Sequence, residues 1–88
     1  MKNYFVFELA EFGSETEVIQ TEKSPQEIFD ERRFRKGAML FDLFIAEITK
    51  TTLTEDETDE VMDAVMEDGK HPLITEAFVS AFSLEKLD

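Results

Sequence analysis

Hydrophobic and polar positions alternate at the N-terminal end of the chain. Residues 4–10 read YFVFELA, in which successive side chains fall on opposite sides of an extended strand, with Tyr4 and Val6 on the same side. Residues 12–15, FGSE, carry a turn signal, and residues 16–21, TEVIQT, form a second run rich in β-branched residues. This pattern predicts an N-terminal β-hairpin.

Two capping boxes predict the starts of helices. The segments SPQE, residues 24–27, and TEDE, residues 54–57, each place a capping hydroxyl three residues before a glutamate. Gly37 and Gly69 follow at distances suited to ending the two helices. We therefore expect one helix between the hairpin and residue 37, and another between residues 54 and 69.

Two further segments repeat apolar residues at spacings of three and four, which is typical of buried helices. The first is AMLFDLFIAEI, residues 38–48, and the second opens at His71-Pro72. In the second segment the repeating residues are Leu73, Ile74, Ala77, Phe78, Ala81 and Phe82. We also expect the phenylalanines of both segments to lie in the core: Phe41, Phe44, Phe78 and Phe82.

These elements together predict an α+β fold in which an N-terminal two-stranded antiparallel β-hairpin packs against about four short α-helices. Nothing in the 88 residues repeats or has low complexity, so residues 1–88 are expected to form a single compact acidic domain. The chain contains no cysteine, which excludes disulfides and thiolate metal sites as a source of stability.

Composition narrows the possible partners. A content of 42% hydrophobic residues with nine phenylalanines is typical of a packed domain and not of a disordered acidic tail. No segment reaches the roughly 18 apolar residues of a membrane span, and the N-terminus lacks the apolar run of a signal peptide. The net charge of −12 repels phosphates and anionic membranes. We therefore expect a cytoplasmic protein that binds neither nucleic acid nor membranes directly.

The predicted helix after Thr54 is the most acidic part of the chain. On a helical projection, five acids project from one side: Asp56, Asp59, Glu60, Asp63 and Glu67. The opposite side carries Thr58, Val61, Met62, Val65 and Met66. Between Lys50 and Lys70 no basic residue interrupts these charges. Like charges at spacings of three and four destabilise a helix slightly, so solubility alone does not require this arrangement.

Three interpretations of this acidic face are open. It is a solvated helix surface, or it holds a hydrated divalent cation through Asp56, Asp59 and Asp63, or it binds a basic protein by imitating a polyanion. The spacing does not fit an EF-hand loop. Eight carboxylates over residues 55–68 occupy roughly 21 Å, or one charge per ~2.6 Å, compared with one per ~1.7 Å in duplex DNA.

In size and charge the chain is similar to the DNA-mimicking inhibitors that phages encode against restriction and CRISPR systems. The resemblance is one of composition and involves no shared motif. It implies a non-catalytic module that docks its acidic helix face onto a basic, nucleic-acid-binding protein and blocks it. The five acids named above are the residues expected to make that contact.

Catalysis has little support in the sequence, and we expect neither an enzyme nor a cofactor. The single histidine, His71, precedes a proline and is expected to cap the last helix.

The basic cluster RRFRK, residues 32–36, lies at the end of the first predicted helix, where cations interact favourably with exposed carbonyls. Its alternative role is an anion-binding or intramolecular docking patch.

The predicted hairpin raises an alternative of a structural kind. Two strands alone leave both outer edges unpaired, and such an edge adds a strand from a second copy or from a partner. Tyr4 and Val6, opposite the expected core side, would lie near that contact. The alternative function is therefore a small structural or assembly protein that associates through apolar surface and the hairpin edge, with a homodimer as its simplest form.

Overall fold

A computed structural model of the chain describes residues 1–80 and 83–87. In chain order its elements are β1 (Lys2–Ala10), β2 (Gly13–Thr21), α1 (Pro25–Lys36), a 3₁₀ turn (Gly37–Met39), β3 (Leu40–Ile48), α2 (Glu55–Met66), β4 (Ile74–Ser80) and β5 (Leu84–Lys86). Within the described residues, no helix has the length and apolar character needed to cross a membrane.

The strands form one antiparallel sheet in the order β2-β1-β3-β4-β5. Because β2 and β3 both run antiparallel to β1, they point in the same direction. Helix α1 connects them by crossing over one face of the sheet. The α+β class is correct. The prediction of a two-stranded hairpin with about four helices is wrong, because the sheet has five strands and the described chain has two α-helices.

A helix covers each face of the sheet, so the sheet separates two hydrophobic cores. The core under α1 consists of Tyr4, Val6, Ile28, Phe29, Leu43 and Ile45. The core under α2 is built from Phe5, Phe7, Phe44, Ala46, Ile48, Val61, Val65 and Ala77. The rings of Phe7 and Phe44 stack with centroids 5.6 Å apart. Alternate side chains of β1 therefore pack into two different cores, instead of one set packing into a core and the other set facing solvent.

Segment 38–48 is a strand for most of its length, and its prediction as a helix is wrong. Leu43 and Ile45 pack under α1, whereas Phe44 and Ile48 pack under α2. A strand that is buried on both faces reads as a nearly continuous apolar run, which also fits a buried helix. The expected burial of Phe41 is wrong as well, because this side chain is 59% exposed at the start of β3.

The segment after His71-Pro72 is likewise extended. It forms β4, which pairs with β3, and β5, which pairs with β4. The predicted last helix is therefore wrong for the described residues. Ala81 and Phe82, which belonged to that prediction, lie outside the described part of the chain.

Both predicted capping boxes are confirmed. The Ser24 hydroxyl accepts the Glu27 amide at 3.2 Å, and the Glu27 carboxylate accepts the Ser24 amide at 3.3 Å. The same reciprocal pair joins Thr54 and Glu57, at 3.1 and 3.0 Å. Gly37 ends α1 with a φ of 57°, a conformation that glycine adopts without strain. The hairpin of β1 and β2 is confirmed too, as one edge of the larger sheet.

Candidate functional site

The acidic face of α2 consists of Asp56, Asp59, Glu60, Asp63 and Glu67, and all five side chains are exposed. The capping box at Thr54 begins the helix, and Val61 and Val65 anchor its other side in the core under α2. Because the valines face the sheet, the acids on the opposite side of the helix face away from it. The predicted orientation of these acids agrees with the structure.

One residue on the predicted inner side of α2 departs from that expectation. Met66 is 45% exposed at the C-terminal end of the helix. It lies at the border between the acidic face and the side that packs on the sheet.

Basic residues are engaged elsewhere in the fold. Six of the nine form ion pairs with glutamates outside the acidic face: Lys2 with Glu47, Lys23 with Glu31, Arg32 with Glu8 and Glu17, Lys36 with Glu8 and Glu15, Lys50 with Glu57, and Lys86 with Glu76. In the described residues, Asp56, Asp59, Asp63 and Glu67 take part in no ion pair. Ion pairs therefore compensate several glutamates on the sheet, on α1 and at the start of α2, whereas these four acids of the face keep their charge.

Two contacts border the acidic face. Lys50 lies 2.5 Å from Glu57, and this hydrogen bond holds the pKa of the Glu57 carboxyl below its usual value. His71 approaches Glu60 at 3.9 Å through Nε2, while its Nδ1 accepts the Leu73 amide at 3.1 Å. The predicted role of His71 as a helix cap is wrong, because it closes a turn before β4.

The metal interpretation of the acidic face gains no support. Asp56, Asp59 and Asp63 follow one another along the exposed side of α2. The residues that the structure describes contain no group of three or more His, Asp or Glu side chains arranged to hold a metal ion.

Tyr4 and Val6 do not lie at an edge of the sheet. Strand β1 has β2 on one side and β3 on the other, and both side chains are buried in the core under α1. Their expected place in an edge contact is therefore wrong. The open edge on this side of the sheet belongs to β2, whose residues 13–17 are all exposed.

The basic cluster 32–36 turns partly inward. Arg32 donates to Oε1 of Glu8 at 2.7 Å and also pairs with Glu17, and Lys36 lies 3.6 Å from Oε2 of Glu8. Glu8 is only 2% exposed, so α1 supplies the charges that compensate a buried carboxylate. The sequence hypothesis of an intramolecular docking patch anticipated this role, whereas Glu8 itself was missed. The one sequence signal for the burial of Glu8 is its position in the alternating run of β1, on the same side of the strand as Tyr4 and Val6.

A second exposed group was also missed by sequence reasoning. Phe34 is 91% exposed on the outer side of α1, between Arg33 and Arg35. Arg33 and Phe41 line one cleft, whereas Arg35 lines another cleft, of about 420 Å³, between α1 and β2. We call Arg33, Phe34, Arg35 and Phe41 the α1 tip.

Comparisons with models of protein families, with curated proteins and with solved structures each found no match for this chain. No relative therefore supplies a partner or a reaction, and the acidic face and the open edge of β2 carry the functional interpretation.

Proposed function

We propose that the protein is a non-catalytic binding module that docks the acidic face of α2 onto a basic, nucleic-acid-binding protein and blocks it. The observation that carries this proposal is the uncompensated charge of that face. Lysines and arginines pair with glutamates on the sheet, on α1 and in the first turn of α2, while four acids of the face stay without an ion pair in the described residues.

Charge density supports a polyanion-like surface. Five carboxylates that form no ion pair with a lysine or arginine in the described residues occur in the twelve residues Glu55–Met66, which extend over about 18 Å of helix, so that one such charge occurs per ~3.6 Å. Duplex DNA carries one charge per ~1.7 Å, about twice this density. A protein whose surface neutralises phosphates would meet a comparable row of charges on α2.

Rigidity supports the proposal as well. The capping box fixes the first turn of α2, and Val61 and Val65 are fully buried against the sheet. A surface held in place before binding loses less conformational entropy when its partner docks.

The negative charge of the protein repels nucleic acids and anionic membranes, so the proposal includes a protein partner and a cytoplasmic location.

A charge-matched pair of variants tests the proposal. The first replaces the five acids of the face with Asn or Gln, and the second replaces five other exposed acids: Glu11, Glu15, Glu22, Asp30 and Glu85. Both variants reduce the net charge by the same amount. Each protein is immobilised and used to capture proteins from a cell lysate at low and high salt.

We expect the wild type and the second variant to capture nucleic-acid-binding proteins that added duplex DNA displaces and high salt releases, because screening weakens charged interfaces. The first variant should lose this capture. Equal capture by both variants, or capture that DNA does not displace, would contradict the proposal.

The alternative of a structural or assembly protein is favoured by one observation, the open edge of β2. This strand is nine residues long, pairs with β1 without a bulge, and ends the sheet on its side. Such an edge accepts another strand through backbone hydrogen bonds. Association of this kind would persist at high salt and would be lost on Thr16→Pro. Docking through α2 would instead be lost at high salt and would persist in Thr16→Pro.

A further inference from the structure

The open edge of β2 carries a row of outward-pointing backbone groups. Ala10 and Gly13 flank the two-residue turn and pair with each other, so hydrogen bonds to β1 alternate along the hairpin from that pair. Every second residue of β2 therefore directs its N–H and C=O away from β1. Only another extended strand can pair with the whole row. The residues of this row are Ser14, Thr16, Val18 and Gln20, and all but Val18 are exposed.

The usual protections of a sheet edge are weak on β2. Lysine, proline and bulges are common protections, and the strand GSETEVIQT contains no lysine or proline and pairs with β1 in one continuous register. The strand does carry two charges, Glu15 and Glu17. Lys36 lies 3.9 Å from Glu15, and Arg32 pairs with Glu17. Helix α1 of the same copy therefore compensates the acids next to the edge.

We infer that the β2 edge of one copy pairs antiparallel with the β2 edge of a second copy, about a two-fold axis through Val18. A second copy supplies a strand that is already extended and held in a sheet, so neither chain loses much conformational entropy on pairing. The opposite edge of the sheet is β5, which the structure gives as the three residues Leu84–Lys86. So short an edge offers little pairing, and the assembly closes at a dimer.

The charges of β2 select this alignment. Residues that point outward must pair with each other, so the two-fold axis passes through a residue and not between two residues. Centring on Thr16 places Glu15 opposite Glu17, and centring on Glu17 places it opposite itself. Like charges directly opposite each other destabilise a pair of strands. Centring on Val18 instead places Glu17 opposite Ile19, and alignments nearer either end of β2 pair fewer residues.

The pairing joins two five-stranded sheets into one continuous sheet. A two-fold axis between adjacent antiparallel strands is perpendicular to the sheet, so both copies of α2 lie on one face and both copies of α1 on the other. No residue of the acidic face takes part in the contact, so the inference does not depend on the proposed function. Where both hold, the dimer presents two acidic faces on the same side to a basic partner, which raises avidity.

The contact is small, and the two copies repel each other. It consists of backbone hydrogen bonds and side chains along one strand, and each copy carries a net charge of −12. We expect a Kd of about 10 μM to 1 mM for an interface of this size. Raising the salt concentration from about 0.01 M to about 0.15 M should strengthen the association, because it screens the repulsion. Docking through the acidic face has the opposite salt dependence.

Two cysteine variants test the alignment in a chain that contains no cysteine. Thr16 and Gln20 are exposed and lie opposite each other in the inferred dimer. Cα atoms of a hydrogen-bonded antiparallel pair are about 5.5 Å apart, which suits a disulfide. In a dimer of either variant with itself, the two cysteines would lie four residues apart along the strands, or about 14 Å.

We therefore expect a mixture of Thr16→Cys and Gln20→Cys to form a disulfide-linked dimer under mild oxidation. Each variant alone should cross-link at least about tenfold more slowly, because its cysteines do not meet. Equal rates for the mixture and for the single variants would overturn the inference.

Sedimentation velocity over a concentration series tests the dimer without a cross-link. Thr16→Pro removes an N–H that points to the edge, whereas the control Thr16→Ala shortens the same side chain and keeps the N–H. We expect wild type and Thr16→Ala to dimerise, and Thr16→Pro to associate at least about tenfold more weakly. A wild type that is monomeric at about 1 mM, or a Thr16→Pro variant that dimerises like Thr16→Ala, would contradict the dimer. If the proline unfolds the hairpin, the cysteine variants decide.

The same variants separate this inference from the proposed function. Thr16→Pro keeps the whole acidic face, so it should still capture basic proteins that DNA displaces. The variant that lacks the five acids should lose this capture and still dimerise. A monomeric wild type that captures DNA-displaceable proteins would overturn the inference alone, and a dimer that captures none would overturn the proposed function alone.

Discussion

The guanidinium of Arg32 on α1 lies 2.7 Å from the carboxylate of Glu8 on β1, and Glu8 is almost completely buried. Lys36, one helical turn later, lies 3.6 Å from the second oxygen of the same carboxylate. Helix α1 is therefore joined to the sheet both by its apolar residues and by a partly buried charge cluster. This contact fixes the end of the helix that carries the α1 tip.

We predict that Arg32→Met destabilises the fold by about 3 kcal/mol, because it leaves the buried Glu8 carboxylate with a single, more distant cation. The double variant Glu8→Leu with Arg32→Met should lose less stability than Arg32→Met alone, since no buried charge then remains. Urea unfolding of the four proteins in this cycle measures the coupling. Additive losses would show that Glu8 and Arg32 do not stabilise each other.

Charge on the acidic face should reduce the stability of α2. Asp63 lies four residues from both Asp59 and Glu67, so Asp63→Asn removes repulsion while keeping a similar helix propensity. We expect a gain of about 0.5 kcal/mol in unfolding free energy at low salt that shrinks at high salt. The control Asp30→Asn, three residues before Arg33 on α1, should bring no gain. An equal gain from both would assign the effect to net charge alone.

Gly69 should be the least replaceable glycine. Its φ is 72°, and an added Cβ would lie 2.9 Å from the Cβ of Ala77 and 3.1 Å from that of Leu87. Gly37 has a similar φ of 57°, but an added Cβ there meets nothing within 4 Å. Both alanine variants carry the backbone penalty of roughly 1 kcal/mol, and Gly69→Ala adds overpacking of about 1–3 kcal/mol. Thermal unfolding should therefore show a lower Tm for Gly69→Ala than for Gly37→Ala.

Stability should fall in acid partly through Glu47. Hydrogen bonds from Thr75 and then from Lys2 hold the pKa of the Glu47 carboxyl below its usual value of 4.5. A group whose folded pKa is lowered contributes stability that is complete above the unfolded pKa, and this contribution is lost as pH falls through the folded value. Glu47→Gln should therefore reduce the loss of unfolding free energy between pH 7 and about pH 3. An unchanged loss would show that Glu47 contributes nothing to acid unfolding.

The sequence by itself determined the elements whose signals are local. Each capping box is a contact between residues three apart, so residues 24–27 and 54–57 predict the starts of α1 and α2 without knowledge of the rest of the fold. The alternation and turn signal of the hairpin are local as well. The outward direction of the acids on α2 follows from helical periodicity and needs no tertiary information.

Only the tertiary structure decided that Leu40–Ile48 and Ile74–Ser80 are strands. Because α1 and α2 cover opposite faces of the sheet, β3 is apolar on both sides, and its period of two is hidden in a continuous apolar run. The same two-sided covering buries Tyr4 and Val6 and turns Arg32 toward Glu8. Periodicity within one segment cannot reveal such coverage, since it depends on residues that are distant in the chain.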